Sequence, residues 1–175
     1  NAINQQYNNK LAQINQTLDA TIEEKNTAIQ QLEQDKQQAL EAIKQAQTNQ
    51  EVDQAKDQAI QNIDAVQVHV VTKPEARQAL ADAKTNQERV INSTQDATVE
   101  EKNAAKQKVE QIFNQANAAI NQAQTNQNVE DLRQHAIEQI NTTLPETTVK
   151  NNARNNIEAA ANQRDTLIDS NIEST

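Results

Sequence analysis

The sequence predicts an all-α protein made of tandem three-helix-bundle repeats of about 77 residues, stacked into an elongated rod. Three observations carry this. The composition is dominated by helix formers such as Ala, Gln, Glu, Lys and Leu, with no glycine, two prolines, one Tyr and one Phe. Apolar residues recur at three- and four-residue spacing. The chain also repeats itself: "QAQTNQ" stands at 45–50 and 122–127, "DATIEEKNTA" at 19–28 faces "DATVEEKNAA" at 96–105, and "KPEAR" at 73–77 faces "KNNAR" at 150–154. All are 77 positions apart with no gap. On this register the chain holds two full units and the tail of an earlier one. Asn1 aligns with Gln78 and Thr175 with Thr98, so an excerpt of a longer array is expected.

Each unit contains three amphipathic segments. The first carries Ile22, Ile29, Leu32, Ala39, Leu40, Ile43 and Ala46, matched by Val99, Val109, Ile112, Phe113, Ala116, Ile120 and Ala123, and predicts a long helix of about 25 residues. The second carries Val52, Ala55, Ala59, Ile60 and Ile63, matched by Val129, Leu132, Ala136, Ile137 and Ile140. The third carries Ala76, Leu80, Ala83, Val90 and Ile91, matched by Ala153, Ile157, Ala160, Leu167 and Ile168. A truncated copy of the third opens the chain with Ile3, Tyr7, Leu11, Ile14 and Leu18.

Helix starts are marked by threonine followed three residues later by glutamate, the pattern in which hydroxyl and carboxylate cap each other's backbone amides. Thr21/Glu24, Thr48/Glu51, Thr72/Glu75 and Thr98/Glu101 all fit, the third with Pro74 in the first turn. "QAQTNQ" is then a tight reversal between the first and second helices, with Asn49 and Asn126 suited to a left-handed position. Both prolines fall in the connection from second to third helix, Pro74 in one unit and Pro145 in the other, which makes that linker the module boundary. The expected domains are a three-helix module at 1–66, a second at 73–143, and a linker with the first helix of the next module at 144–175. A second phase, 20–93 and 97–172, fits the same segments. A core of this size, thinned by alanine, is marginal alone and needs its neighbours.

Little chemistry is on offer. The formal charge of −9 and the lack of a basic stripe interleaved with aromatics argue against nucleic acid. No apolar run approaches the ~20 residues of a membrane span. His69 and His135 align with Glu146 and Gln58, so neither recurs. Glu23-Glu24 and Glu100-Glu101 are paired carboxylates, but they lie in first turns where the helix dipole favours negative charge. There is no glycine for a phosphate loop and no cysteine for thiol chemistry. The expectation is no enzyme, no cofactor, and no catalytic, cofactor-binding or metal site. Tyr7 and Phe113 sit at core spacing and are expected to be packed.

The strings "DATIEEKNTA" and "DATVEEKNAA", followed by "AIKQAQTNQEVDQAKDQAIQNI" and "AINQAQTNQNVEDLRQHAIEQI", resemble the Asn/Gln/Ala-rich repeats of unknown function in staphylococcal cell-wall-anchored surface proteins. Their parents include surface protein C, the methicillin-resistance surface protein and the extracellular-matrix-binding protein homologue. The resemblance covers nearly the whole chain and implies an extracellular, wall-bound location and a long stalk. The parent would be a virulence protein of adhesion, aggregation or biofilm. The expected partners are neighbouring repeats of the same chain. The alternative is a directly adhesive module that binds a host matrix or plasma protein. Such a module would repeat a surface patch as carefully as its core, whereas "QLEQDKQQAL" and "KVEQIFNQAN", at aligned positions, differ widely.

Overall fold

A computed structural model describes residues 2–173; the predicted end positions 1, 174 and 175 lie outside the described residues. Among the described residues the chain forms seven helices and no strand: α1 Ala2–Gln16, α2 Ile22–Gln45, α3 Asn49–Ala65, α4 Thr72–Ser93, α5 Val99–Gln122, α6 Asn126–Thr142 and α7 Thr148–Ile172. The starts and ends of α2 and α5, and of α3 and α6, coincide on the 77-residue register. α7 begins one position earlier than α4 does, beyond a linker that contains Pro145 where the first unit has Val68.

Three of the four expected caps form. Thr21 Oγ1 accepts from the Glu24 amide at 3.3 Å while Glu24 Oε2 accepts from the Thr21 amide at 2.8 Å. The Thr48/Glu51 pair closes at 3.2 and 3.1 Å, and the Thr98/Glu101 pair at 3.2 and 2.7 Å. The fourth differs. Thr72 is the first residue of α4 and not its cap, and its amide is taken by Glu24 from another helix. Asn49 and Asn126 likewise open their helices. The first of these reversals is made by extended backbone at Ala46 and Thr48, which removes the need for a left-handed residue there. The left-handed position falls instead on Asp19, with φ 65°, between α1 and α2.

The packing divides the chain into two compact units: residues up to 78 with 117–134, and residues 79–116 with those from 135 onward. In the first unit α1, α2 and α3 pack pairwise. Their core is Ile3, Tyr7, Ile14, Ala28, Leu32, Ala39, Ala59, Ile63 and Val66, with Leu11, Ile29, Ile43 and Val68 packed against it. The second unit buries Leu80, Ala83, Ile91, Val109, Ala136 and Ile140. It also buries the Gln87 amide, which donates to the Thr143 carbonyl at 2.7 Å.

Several apolar residues expected in the core are exposed. Ile22, Val52 and Val99 stand in the first turns of their helices, before the packed seam begins. Leu40 and Val90 adjoin the buried Ala39 and Ile91, and neighbours about 100° apart on a helix cannot both face inward. Leu18 lies beyond the end of α1. α7 buries no residue: Ile157, Leu167 and Ile168 are exposed, and among the described residues no helix packs on it as α2 and α3 pack on α1.

Leu32→Ala should therefore cost about 2–5 kcal/mol and Leu40→Ala well under half as much, measured by urea denaturation. Equal losses would mean that the seam of α2 is misassigned. Among the caps, Thr21→Ala should lower the midpoint more than Thr98→Ala, which should cost about 0.5–2 kcal/mol. The difference arises because Thr21 is fully buried with a further partner, Asn126.

Candidate functional site

The polar residues that recur in both repeats converge on helix starts. Glu24, placed by its capping box in the first turn of α2, uses its second oxygen on a different helix. Oε1 accepts from the amides of Val71 and Thr72, at 2.9 and 2.8 Å, at the start of α4. In the second unit Glu101 Oε1 accepts from the Thr148 hydroxyl and the Val149 amide at the start of α7, both at 3.1 Å. One carboxylate thus caps two helices. Burial is the largest influence on Glu24 and pushes its pKa upward, but the amides of Thr72, Val71 and Thr21 together outweigh it and hold the value down to about 2. Glu101 is also held at about 2, first by the Thr98 amide and then by that of Val149.

A second pair braces the same junction. Arg77 on α4 grips the carboxylate of the left-handed Asp19 through two nitrogens, one of them at 2.9 Å. Arg154 on α7 reaches Asp96 at 2.6 Å. Both aspartates are held below their ordinary pKa by the guanidinium facing them. Lys25 and Lys102 donate to the carbonyls of Asn15 and Asn92, each at 2.9 Å, near the ends of α1 and α4.

Within the first unit, the turn before α6 docks on the start of α2. The Ile22 amide donates to the Gln124 carbonyl at 2.8 Å, and the Asn126 amide donates to Glu23 Oε2 at 3.0 Å. Asn126 Oδ1 accepts from the hydroxyls of Thr21 and Thr72, at 2.6 and 3.2 Å. Lys73 Nζ and Arg77 Nη1 donate to the carbonyl and side-chain oxygens of Asn121, both at 2.9 Å.

The aromatic residues are packed, and they exchange places. Tyr7 on α1 donates to Glu33, and Lys36 of α2 lies 4.0 Å from its ring centre. The Glu33 hydrogen bond, ahead of burial, raises the tyrosine to about 12. One register on, position 84 is lysine and position 113 is phenylalanine. Lys84 lies 4.9 Å from the Phe113 ring and pairs with Glu110. The cation and the ring have changed helices while the glutamate stays.

Of the residues weighed in the sequence, Glu23, Glu24, Glu100 and Glu101 all lie at these helix starts; Glu24 and Glu101 reach the helix after the linker, and Glu23 takes the first amide of α6. His69, in the linker, lines a hollow of about 460 Å³ with Glu24, Thr27 and Asn126. His135 is exposed on α6. Among the described residues no three His, Cys, Asp or Glu side chains gather as metal ligands would, and no helix is long and apolar enough to cross a membrane. The double-ended role of Glu24, the aspartate–arginine braces and the docking of Asn126 escape a reading of local motifs. Their signal is the recurrence of Asp19/Asp96, Glu24/Glu101 and Arg77/Arg154 on the 77-residue register.

A carboxylate held down to about 2 adds stability that is fully present above its ordinary value of 4.5 and lost as pH falls toward 2. Glu24→Gln should therefore lower the urea midpoint at neutral pH, and its gap from the wild type should close as pH falls through that window. A gap independent of pH would show that the charge of Glu24 does not hold the junction.

The model of the family described as Domain of Unknown Function (DUF1542) matches residues 1–71 and 72–148. No curated protein and no solved structure gives a significant match. The matched segments abut and together cover most of the chain, which belongs to the DUF1542 family as two adjacent copies of that domain.

Proposed function

We propose that this array is a non-catalytic structural repeat of a bacterial surface protein, of the staphylococcal wall-anchored class it resembles. It would act as a spacer that holds an adhesive domain away from the cell wall. The observation that carries the reading is the division of labour between the repeats. They agree where they fold and join, at Thr21/Thr98, Glu24/Glu101, Asp19/Asp96, Arg77/Arg154 and Ile63/Ile140, and they differ along their outward faces. A binding module would need the opposite emphasis, because affinity is concentrated in a few presented anchors. Here Tyr7 is spent in the core and Phe113 is half-buried beneath a lysine. The tandem family match supports a function of number, in which copies are added to gain reach.

The test replaces these repeats, in a surface protein that carries them, with an unrelated helical rod of equal length. Adhesion should be lost on deletion and restored by the replacement. Adhesion that stays lost, together with saturable binding of the isolated repeats to a host matrix or plasma protein, would establish the adhesive alternative.

A further inference from the structure

The longest connection between helices, among the described residues, is Val66-Gln67-Val68-His69-Val70-Val71, from α3 to α4. It lies well inside the chain, with α1 to α3 before it and α4 to α7 after it. It contains neither turn nor bend, and burial alternates along it: Val66 is buried and Val68 and Val70 are half-buried, while Gln67 and His69 are exposed. A period of two belongs to extended backbone. Both ends are held, because the Val66 amide donates to the Ile63 carbonyl and the Val71 amide to Glu24. Between them, the amides and carbonyls of Gln67, Val68, His69 and Val70 have no protein partner among the described residues. The linker one register on differs at its centre. Pro145, buried and without an amide hydrogen, stands where the first linker has Val68, and Glu146 where it has His69.

We propose that the first linker is a processing site, hydrolysed between Val68 and His69 by an endopeptidase whose specificity pocket takes a small branched aliphatic side chain. An endopeptidase holds its substrate as an added strand, through main-chain hydrogen bonds on either side of the bond it cuts. This segment offers those groups already extended and unbonded, which no helix interior can do. Val68 packs against the core and has to swing outward to fill the pocket. Water then adds across the Val68–His69 peptide bond, leaving a carboxylate on Val68 and an amine on His69. The neighbouring Val70–Val71 bond is less open, since its amide is committed to Glu24. Pro145 denies the second linker the same reaction, having neither the side chain for the pocket nor an amide to donate. The cut would leave the two fragments joined. Glu24 before it holds the amides of Val71 and Thr72 after it, and Asp19 holds Arg77. The Ile22 amide and Glu23 hold the docked turn before α6. The junction thus bridges the scissile bond, so a cut chain keeps its fold while losing its covalent continuity. The cut site stands whether or not the array serves as a spacer.

Limited digestion of the 175-residue chain with pancreatic elastase at neutral pH, with the products identified by mass spectrometry, tests this. The first products should be 1–68 and 69–175, formed at least about tenfold faster than any cut within 143–148, because cleavage tracks how open each segment is. They should elute together in gel filtration and part in urea. His69→Pro changes an exposed residue whose amide has no partner, and should slow the cut about tenfold or more by placing a proline on the leaving side. Pro145→Val, the reverse kind of change, should open the second linker to the same enzyme. A first cut outside 67–70, equal rates at the two linkers, or a second linker that stays intact in Pro145→Val would overturn the site. Fragments that part without denaturant would overturn the bridging role of the junction.

Discussion

Each repeat must bring the start of its long helix beside the start of the helix that follows the linker. Two helix amino ends carry partial positive charge and unpaired amides, so they repel unless an anion lies between them. Glu24 is that anion for α2 and α4, and Glu101 for α5 and α7. The carboxylate needs the capping threonine to orient it, and the linker must be extended to deliver its amides. Arg77 and Arg154 then reach Asp19 and Asp96 from the second turn of the helix so placed. The rest of the junction is arranged around that charge.

A chain without glycine has to reverse direction by other means. It uses extended residues after α2, a left-handed aspartate after α1, and an extended Val66 directly after α3. Each device leaves backbone groups pointing outward. The abundance of Asn and Gln follows in part from this, since an amide side chain offers both donor and acceptor to whatever backbone group faces it. The Asn126 side-chain oxygen accepts two hydroxyl protons, and the Gln87 side-chain nitrogen donates to the Thr143 carbonyl inside the second unit.

Helix number, order and length were legible in the sequence because apolar period and capping pairs are local and here agree with each other. The 77-residue register also showed which helices are equivalent. What the sequence hid depends on partners distant in the chain. Thr72 reads as a cap by its spacing to Glu75, but a carboxylate 48 positions earlier takes its amide. Leu40 and Val90 match the helical pattern as well as Ala39 and Ile91 do, and only the packed neighbours decide between them. The junction residues were visible as identities between repeats, without the geometry that gives the identities a purpose.

The exchange of ring and cation between Tyr7/Lys36 and Lys84/Phe113 bears on how such an array evolves. Tandem segments that share long runs in one register invite unequal crossing-over, which changes copy number. A crossover between positions 7 and 36, or between 84 and 113, would splice one repeat's third helix to the other's first. It would set Tyr against Phe, or Lys against Lys, over a single glutamate. Crossovers outside that window keep each pair intact. The side-chain swap thus acts as a filter on recombination, letting the array lengthen or shorten in whole matched pairs while penalising hybrids.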